Sequence, residues 1–238
     1  MNRILHLYSG EIKRLIKYKI FFFGILVSMI WAVIIALADL EAVLGLMPFL
    51  VLMDAGMMSI ILLGASFYYE KQEGTMQSII VTPIRLSTHI LVKVLAMVTM
   101  GLISFVVVIG TSLIFHNFSI QLLPFALYVV VAVSAHSAIG YVLILYSRDF
   151  LAMLVKYMGV VIIFMLPMLL VQLDVISGNF EFIGLLSPTY AAQILFQSTI
   201  ATKDPWTIVF SLCYLALIPA VLYPLVIMKR YEIVAMEG

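Results

Sequence analysis

The chain has 238 residues, of which 65% are apolar and 11% charged, with a net charge of +1 at pH 7 and a mean hydropathy of +1.21. A soluble domain is about half apolar and about a quarter charged, so water cannot be the solvent for most of this surface. A bilayer crossing takes about 20 apolar residues, which leaves room for six crossings with short connections and excludes a sizeable soluble domain.

These limits point to an all-α integral membrane protein, a single transmembrane domain over residues 1–238. The balanced charge gives no ground for a nucleic-acid partner. With only Cys213, no internal disulfide, Cys-X-X-Cys redox pair or thiolate metal cluster can be built. Over 1–19, apolar Ile4, Leu5, Tyr8, Ile12, Leu15 and Ile16 recur at helical spacing, with Lys13, Arg14, Lys17 and Lys19 between them. That pattern predicts a basic amphipathic helix lying on the inner leaflet. The first crossing, 20–38, ends in Ala36-Leu37-Ala38, which resembles a signal-peptidase site. Its apolar run exceeds the roughly 7 to 15 residues of a signal peptide, so it is expected to stay on the chain.

The second crossing, 42–69, is interrupted by Asp54 and by small residues, and the polar segment 70–82 follows it. The third covers 87–115, with Ser87 as a candidate N-cap and Lys93 about one turn inside the interface. The fourth and fifth cover 122–146 and 151–173. In the connector 174–205, Ser187-Pro188 reads as an N-cap followed by first-turn proline, starting a short helix over 190–200. The connector is expected to dip one or two short helices into the outer face of the bilayer. The sixth crossing runs over 206–228, from Trp206 to the basic pair Lys229-Arg230.

Placing the N-terminus in the cytoplasm leaves only Lys203 outside among thirteen basic residues. The positive-inside rule therefore sets both termini in the cytoplasm.

The first inner loop carries a short patterned segment. Thr75 can cap a helix over 73–83 whose apolar residues Met76, Ile79 and Ile80 share one face, and Pro83 forces Thr82 out of helical geometry. On physical grounds alone this is equally a surface helix that anchors the loop among the headgroups.

Glu73, Gly74, Thr75, Ile79, Thr82 and Pro83 resemble the Glu-Glu-Gly-Thr-x-x-x-(Leu/Ile)-x-Val-Thr-Pro pattern that follows the second crossing in permease subunits of type-2 ABC exporters. Gln72 stands where many members carry an acid. In the connector, Pro188-Thr189-Tyr190 resembles the family's Pro-x-Thr-Tyr element, one residue shorter. The resemblance covers the whole chain: amphipathic first helix, six crossings, first-inner-loop helix and helical outer connector. It implies that 73–83 is a coupling helix, with Glu73, Gly74, Thr75, Met76, Ile79, Ile80, Thr82 and Pro83 seated in a groove of a cytoplasmic ATPase. It also implies two ATPase copies, which bind ATP and Mg, and a second permease chain, identical or related, in a prokaryotic cell membrane. The chain itself holds no Gly-x-x-x-x-Gly-Lys-Ser/Thr segment and is expected to bind no cofactor and perform no catalysis. Its cargo would be hydrophobic or amphipathic: a drug, an antimicrobial peptide, a lipid or a glycan precursor.

Asp54 is a carboxylate inside an apolar run and therefore a candidate for the substrate path or for proton coupling, against a purely structural hydrogen bond. Met57 and Met58 in the second crossing, with Met158 and Met165 in the fifth, are candidates for an adaptable apolar lining or for plain packing. His136 lies among small residues and is expected to pack rather than bind metal. Arg148-Asp149 reads as a local ion pair. An intramembrane enzyme would need convergent catalytic groups, and the crossings offer none. An ion-coupled secondary transporter using Asp54 is the alternative reading.

Overall fold

The computed structural model describes residues 2–75, 85–172 and 184–237, and the core of the 73–83 helix, at 76–83, lies outside them. Described in chain order are α1 (Asn2–Lys17), α2 (Ile20–Leu37), α3 (Leu40–Gln72), α4 (Leu86–Phe115), α5 (Leu122–Leu145), α6 (Phe150–Gln172), α7 (Pro188–Gln197), α8 (Pro205–Leu222) and α9 (Met228–Glu237). Six helical stretches are long and apolar enough to cross a membrane: α2, α3, α4, α5, α6 and the run through α8 into α9. Among the described residues every regular element is helical.

Side chains that can satisfy the free first-turn amides decide where several helices begin. Asp39 Oδ1 accepts from the Ala42 amide at 2.8 Å, starting α3 at Leu40 rather than at 42. Asp149 Oδ1 accepts from the Ala152 amide at 2.7 Å and opens α6. Asp204 Oδ2 accepts from the Thr207 amide at 3.1 Å and opens α8 at Pro205. Ser87 does not cap α4, because the amides of Thr88 and His89 already bond to the Arg85 carbonyl and the helix starts at Leu86.

Two π-helical turns widen the long helices, Leu52–Met57 inside α3 and Tyr223–Ile227 between α8 and α9. Each begins four residues after a proline, Pro48 and Pro219, whose missing amide removes the helical bond one turn further back. The last helical run therefore continues past the expected end at 228 to Glu237, with Tyr231 buried against the bundle.

Burial separates a centre from a periphery. The most apolar windows of α3, α4 and α5 are 72%, 67% and 61% buried, whereas those of α6 and α8 are each 11% buried. A helix with so little of its surface covered by its own chain must meet lipid or another protein. Close approach at the centre depends on small residues: a Cβ on Gly140 of α5 would lie 3.3 Å from the Ile60 Cα of α3. The short α7 inserts among α5, α6 and α8, burying Ala191, Ala192, Leu195 and Phe196, and the Phe196 ring stacks on Phe125 at 4.9 Å.

Candidate functional site

The most highly charged part of the interior joins three helices at one end of the bundle. Glu11 and Arg14 are one turn apart on α1, Ser66 and Glu70 one turn apart near the end of α3, and His89 and Lys93 one turn apart near the start of α4. At those spacings each helix presents both of its groups on one face. The Lys93 ammonium, fully buried, reaches Glu11 Oε1 at 3.0 Å, Glu70 Oε2 at 2.9 Å and Ser66 Oγ at 2.9 Å. Ser66 in turn donates to Glu11 Oε1 at 3.0 Å. Arg14 pairs with both Glu11 and Glu70, and His89 Nε2 lies 3.8 Å from Glu70 Oε2.

Two carboxylates thus face two cations, with Glu11, Glu70 and Lys93 buried and Arg14 partly exposed at the edge. Desolvating each ion costs several kcal/mol, and only mutual pairing with well-placed hydrogen bonds offsets it. Among the described residues no three His, Cys, Asp or Glu side chains gather in a way suited to a metal. What the network can do is mechanical. Glu70 lies just before the 73–85 loop and Lys93 just after it, so α1 is bonded to both stems that carry the loop. The rings of Tyr231 and His89 meet at 6.2 Å, which brings α9 against the same end.

A second contact repeats the connection at the surface. Lys17 Nζ donates to Glu73 Oε1 at 3.1 Å, Tyr18 donates its hydroxyl to Glu73 Oε2, and the Tyr18 and Tyr69 rings stack at 4.8 Å. The Tyr18 hydrogen bond, then Lys17, holds the Glu73 carboxyl below its ordinary range. Desolvation, then the bond to Glu73, pushes Tyr18 up to about 12. Gly74 follows with φ +67°, a left-handed turn that glycine adopts without a Cβ clash. The Thr75 hydroxyl donates back to the Glu70 carbonyl at 3.1 Å, which closes the end of α3. Of the expected coupling residues, Glu73, Gly74 and Thr75 are described, while Met76, Ile79, Ile80, Thr82 and Pro83 lie outside the described residues.

Asp54 sits in the π turn of α3, 6% exposed, and its Oδ2 accepts from Ser28 of α2 and Ser104 of α4, both at 2.5 Å. Beside it lies a cavity of about 10 Å³, room for about one water, lined by Ser59, Met97 and Met100 among others. Met57 is buried with Ile60 and Tyr157, Met58 and Met165 are partly buried, and Met158 is 58% exposed and turned away from the bundle. None of these four methionines lines that cavity; its wall comes from α2, α3 and α4, and its methionines are Met97 and Met100 of α4. His136 is fully buried, with Nδ1 2.7 Å from the Ala132 carbonyl. Arg148 and Asp149 form an exposed pair at 3.0 Å.

In the connector, Ser187 and Thr189 both donate to the Phe164 carbonyl, at 2.5 and 2.6 Å. That carbonyl adjoins the one of Ile163, whose helical partner would be the amide that Pro167 lacks. Pro188 forms the first turn of α7, and Tyr190 follows with its amide directed at Ser187 Oγ.

Glu11, Ser66, Glu70 and His89 were not expected as site residues. Their signal is present in the spacing: a lone acid in a basic helix, and polar pairs four apart near the ends of apolar runs. No family model matches the chain, and no curated protein matches it.

Proposed function

We propose that the chain is the permease subunit of an ATP-driven exporter of the type-2 ABC class, moving a hydrophobic or amphipathic molecule outward by alternating access. The observation that carries this reading is the buried ion network, which fastens the amphipathic α1 to both stems of the loop bearing the Glu73-Gly74-Thr75 pattern. Rigid fastening is what a loop needs if it is to pass a partner's displacement into α3 and α4 rather than flex by itself. On this reading 73–83 is the coupling helix, ATP and Mg belong to two cytoplasmic ATPase subunits, and a second permease chain covers the sparsely buried outer helices. Both termini and the ion network then face the cytoplasm of a prokaryotic cell.

Asp54, held by two serines within the bundle, favours a second reading, an ion-coupled secondary transporter. Transport into inverted membrane vesicles, assayed with drug, peptide, lipid and glycan-precursor probes, separates the two. The exporter reading predicts uptake that needs ATP and survives collapse of the ion gradients. Uptake driven by an ion gradient without ATP, and lost in Asp54→Asn, would establish the second reading instead.

A further inference from the structure

The end of the bundle opposite the ion network holds a pocket of about 450 Å³ between the α4–α5 turn and the α7–α8 turn. Its wall includes Ser119, Gln121, Thr202 and Lys203, with Tyr128 at its side. Among the described residues the side chains of Ser119, Gln121, Thr202 and Lys203 bond to nothing else, so four groups able to donate converge on one space. Among the described residues no carboxylate lines it. The adjacent Asp204 is turned to the start of α8, where its Oδ2 accepts from both the Thr207 amide and hydroxyl. One cation with several neutral donors and no competing acid is the chemistry that recognises a phosphate.

The position says which phosphate. The pocket is made where membrane-spanning helices end, which is the level of lipid headgroups. Just below it the surface turns apolar and aromatic: Phe115 is 61%, Leu123 73% and Trp206 81% exposed. Such a belt marks the boundary where acyl chains begin.

We propose that this pocket seats the phosphate of an anionic phospholipid, with Lys203 as its charge partner and Ser119, Gln121 and Thr202 as hydrogen-bond donors. The proposal rests on the chain's crossing a membrane and is independent of how transport is powered.

The test is photo-crosslinking of the full chain in phosphatidylcholine vesicles doped with phosphatidylglycerol carrying a diazirine at its headgroup, with labelled peptides read by mass spectrometry. Label is expected on 119–121 and 198–203. Lys203→Gln should reduce it about fivefold, the attraction of one lysine near an anionic headgroup. Lys229→Gln, an exposed lysine at the other end of the helical run, should leave it unchanged, and Ser119→Ala should lower it partly. Label absent from these segments, or unchanged in Lys203→Gln, overturns the proposal. Displacement of the lipid label by soluble glycerol phosphate overturns the lipid assignment in favour of a free phosphate.

Discussion

Lys93 is a full positive charge with no solvent access, kept in place by two carboxylates from helices far away in the chain. Lys93→Met leaves Glu11 and Glu70 short of a partner, and removal of one member of a buried pair costs about 3–5 kcal/mol. Thermal unfolding in detergent should show a correspondingly large loss, whereas Lys71→Met, near the end of α3 and outside the ion network, should show almost none. At Glu73 the sign of the pH dependence follows from a lowered carboxyl. The contact contributes fully above the ordinary carboxylate range and is lost as pH falls through the depressed value. A carbon-13 titration of Glu73 should give a midpoint below that range, and Tyr18→Phe should move it back up. Lys19 occupies a left-handed conformation, φ 60°, at the elbow between α1 and α2. Lys19→Gly should therefore stabilise the elbow by about 1 kcal/mol, read as a raised melting temperature. Lys93 reads from sequence as an interface residue because a lysine in an apolar run is normally drawn to the headgroups. Its partners lie 82 and 23 positions away, and the one-turn pairing of Ser66 with Glu70 was the local sign that such a lysine had an interior destination.

At the scale of elements, the connector helix α7 is tied to α6 by two hydroxyls that share one backbone carbonyl. Pro167 disturbs the α6 ladder, and the hydroxyls of Ser187 and Thr189 take up the neighbouring Phe164 carbonyl. Ser187→Ala with Thr189→Val should remove both side-chain bonds from α7 to α6, at a cost of about 0.5–1.5 kcal/mol each. Hydrogen exchange of the α7 amides should quicken in the double variant while that of α5 stays slow. The short helix behind Ser187-Pro188 was legible because an N-cap followed by proline is a local signal, and its depth among the spans was not, because depth depends on small residues such as Ala191 and Ala192 meeting other helices. The aspartate caps at Asp39 and Asp204 start α3 and α8 one to two residues before the expected 42 and 206, and the cap expected at Ser87 is absent because backbone bonds to Arg85 had already begun α4. The π turns were not legible at all: proline announces a disturbed ladder but not whether the helix will bend, break or widen.

At the scale of the whole molecule, six spans and an amphipathic first helix follow from composition and periodicity, which are properties of single segments. The division into a buried centre of α3, α4 and α5 and a bare periphery of α6 and α8 is a property of packing, and near-uniform hydropathy conceals it. The same limit applies to Met158, which shares its residue type with Met153 but faces outward, while Met153 is fully buried. In the proposed account the centre moves when force arrives through the loop after α3, and the ion network keeps α1 and the stems of α3 and α4 together as that happens. The most direct measurement is ATP hydrolysis by the assembly isolated from native membranes through this chain, compared with the Glu73→Arg variant. The account predicts that an ATP-hydrolysing subunit comes with the native chain and that its stimulation by cargo is lost in the variant, although the variant still inserts in the membrane. A fully active transporter isolated through this chain with no ATP hydrolysis, or full stimulation in Glu73→Arg, would contradict it.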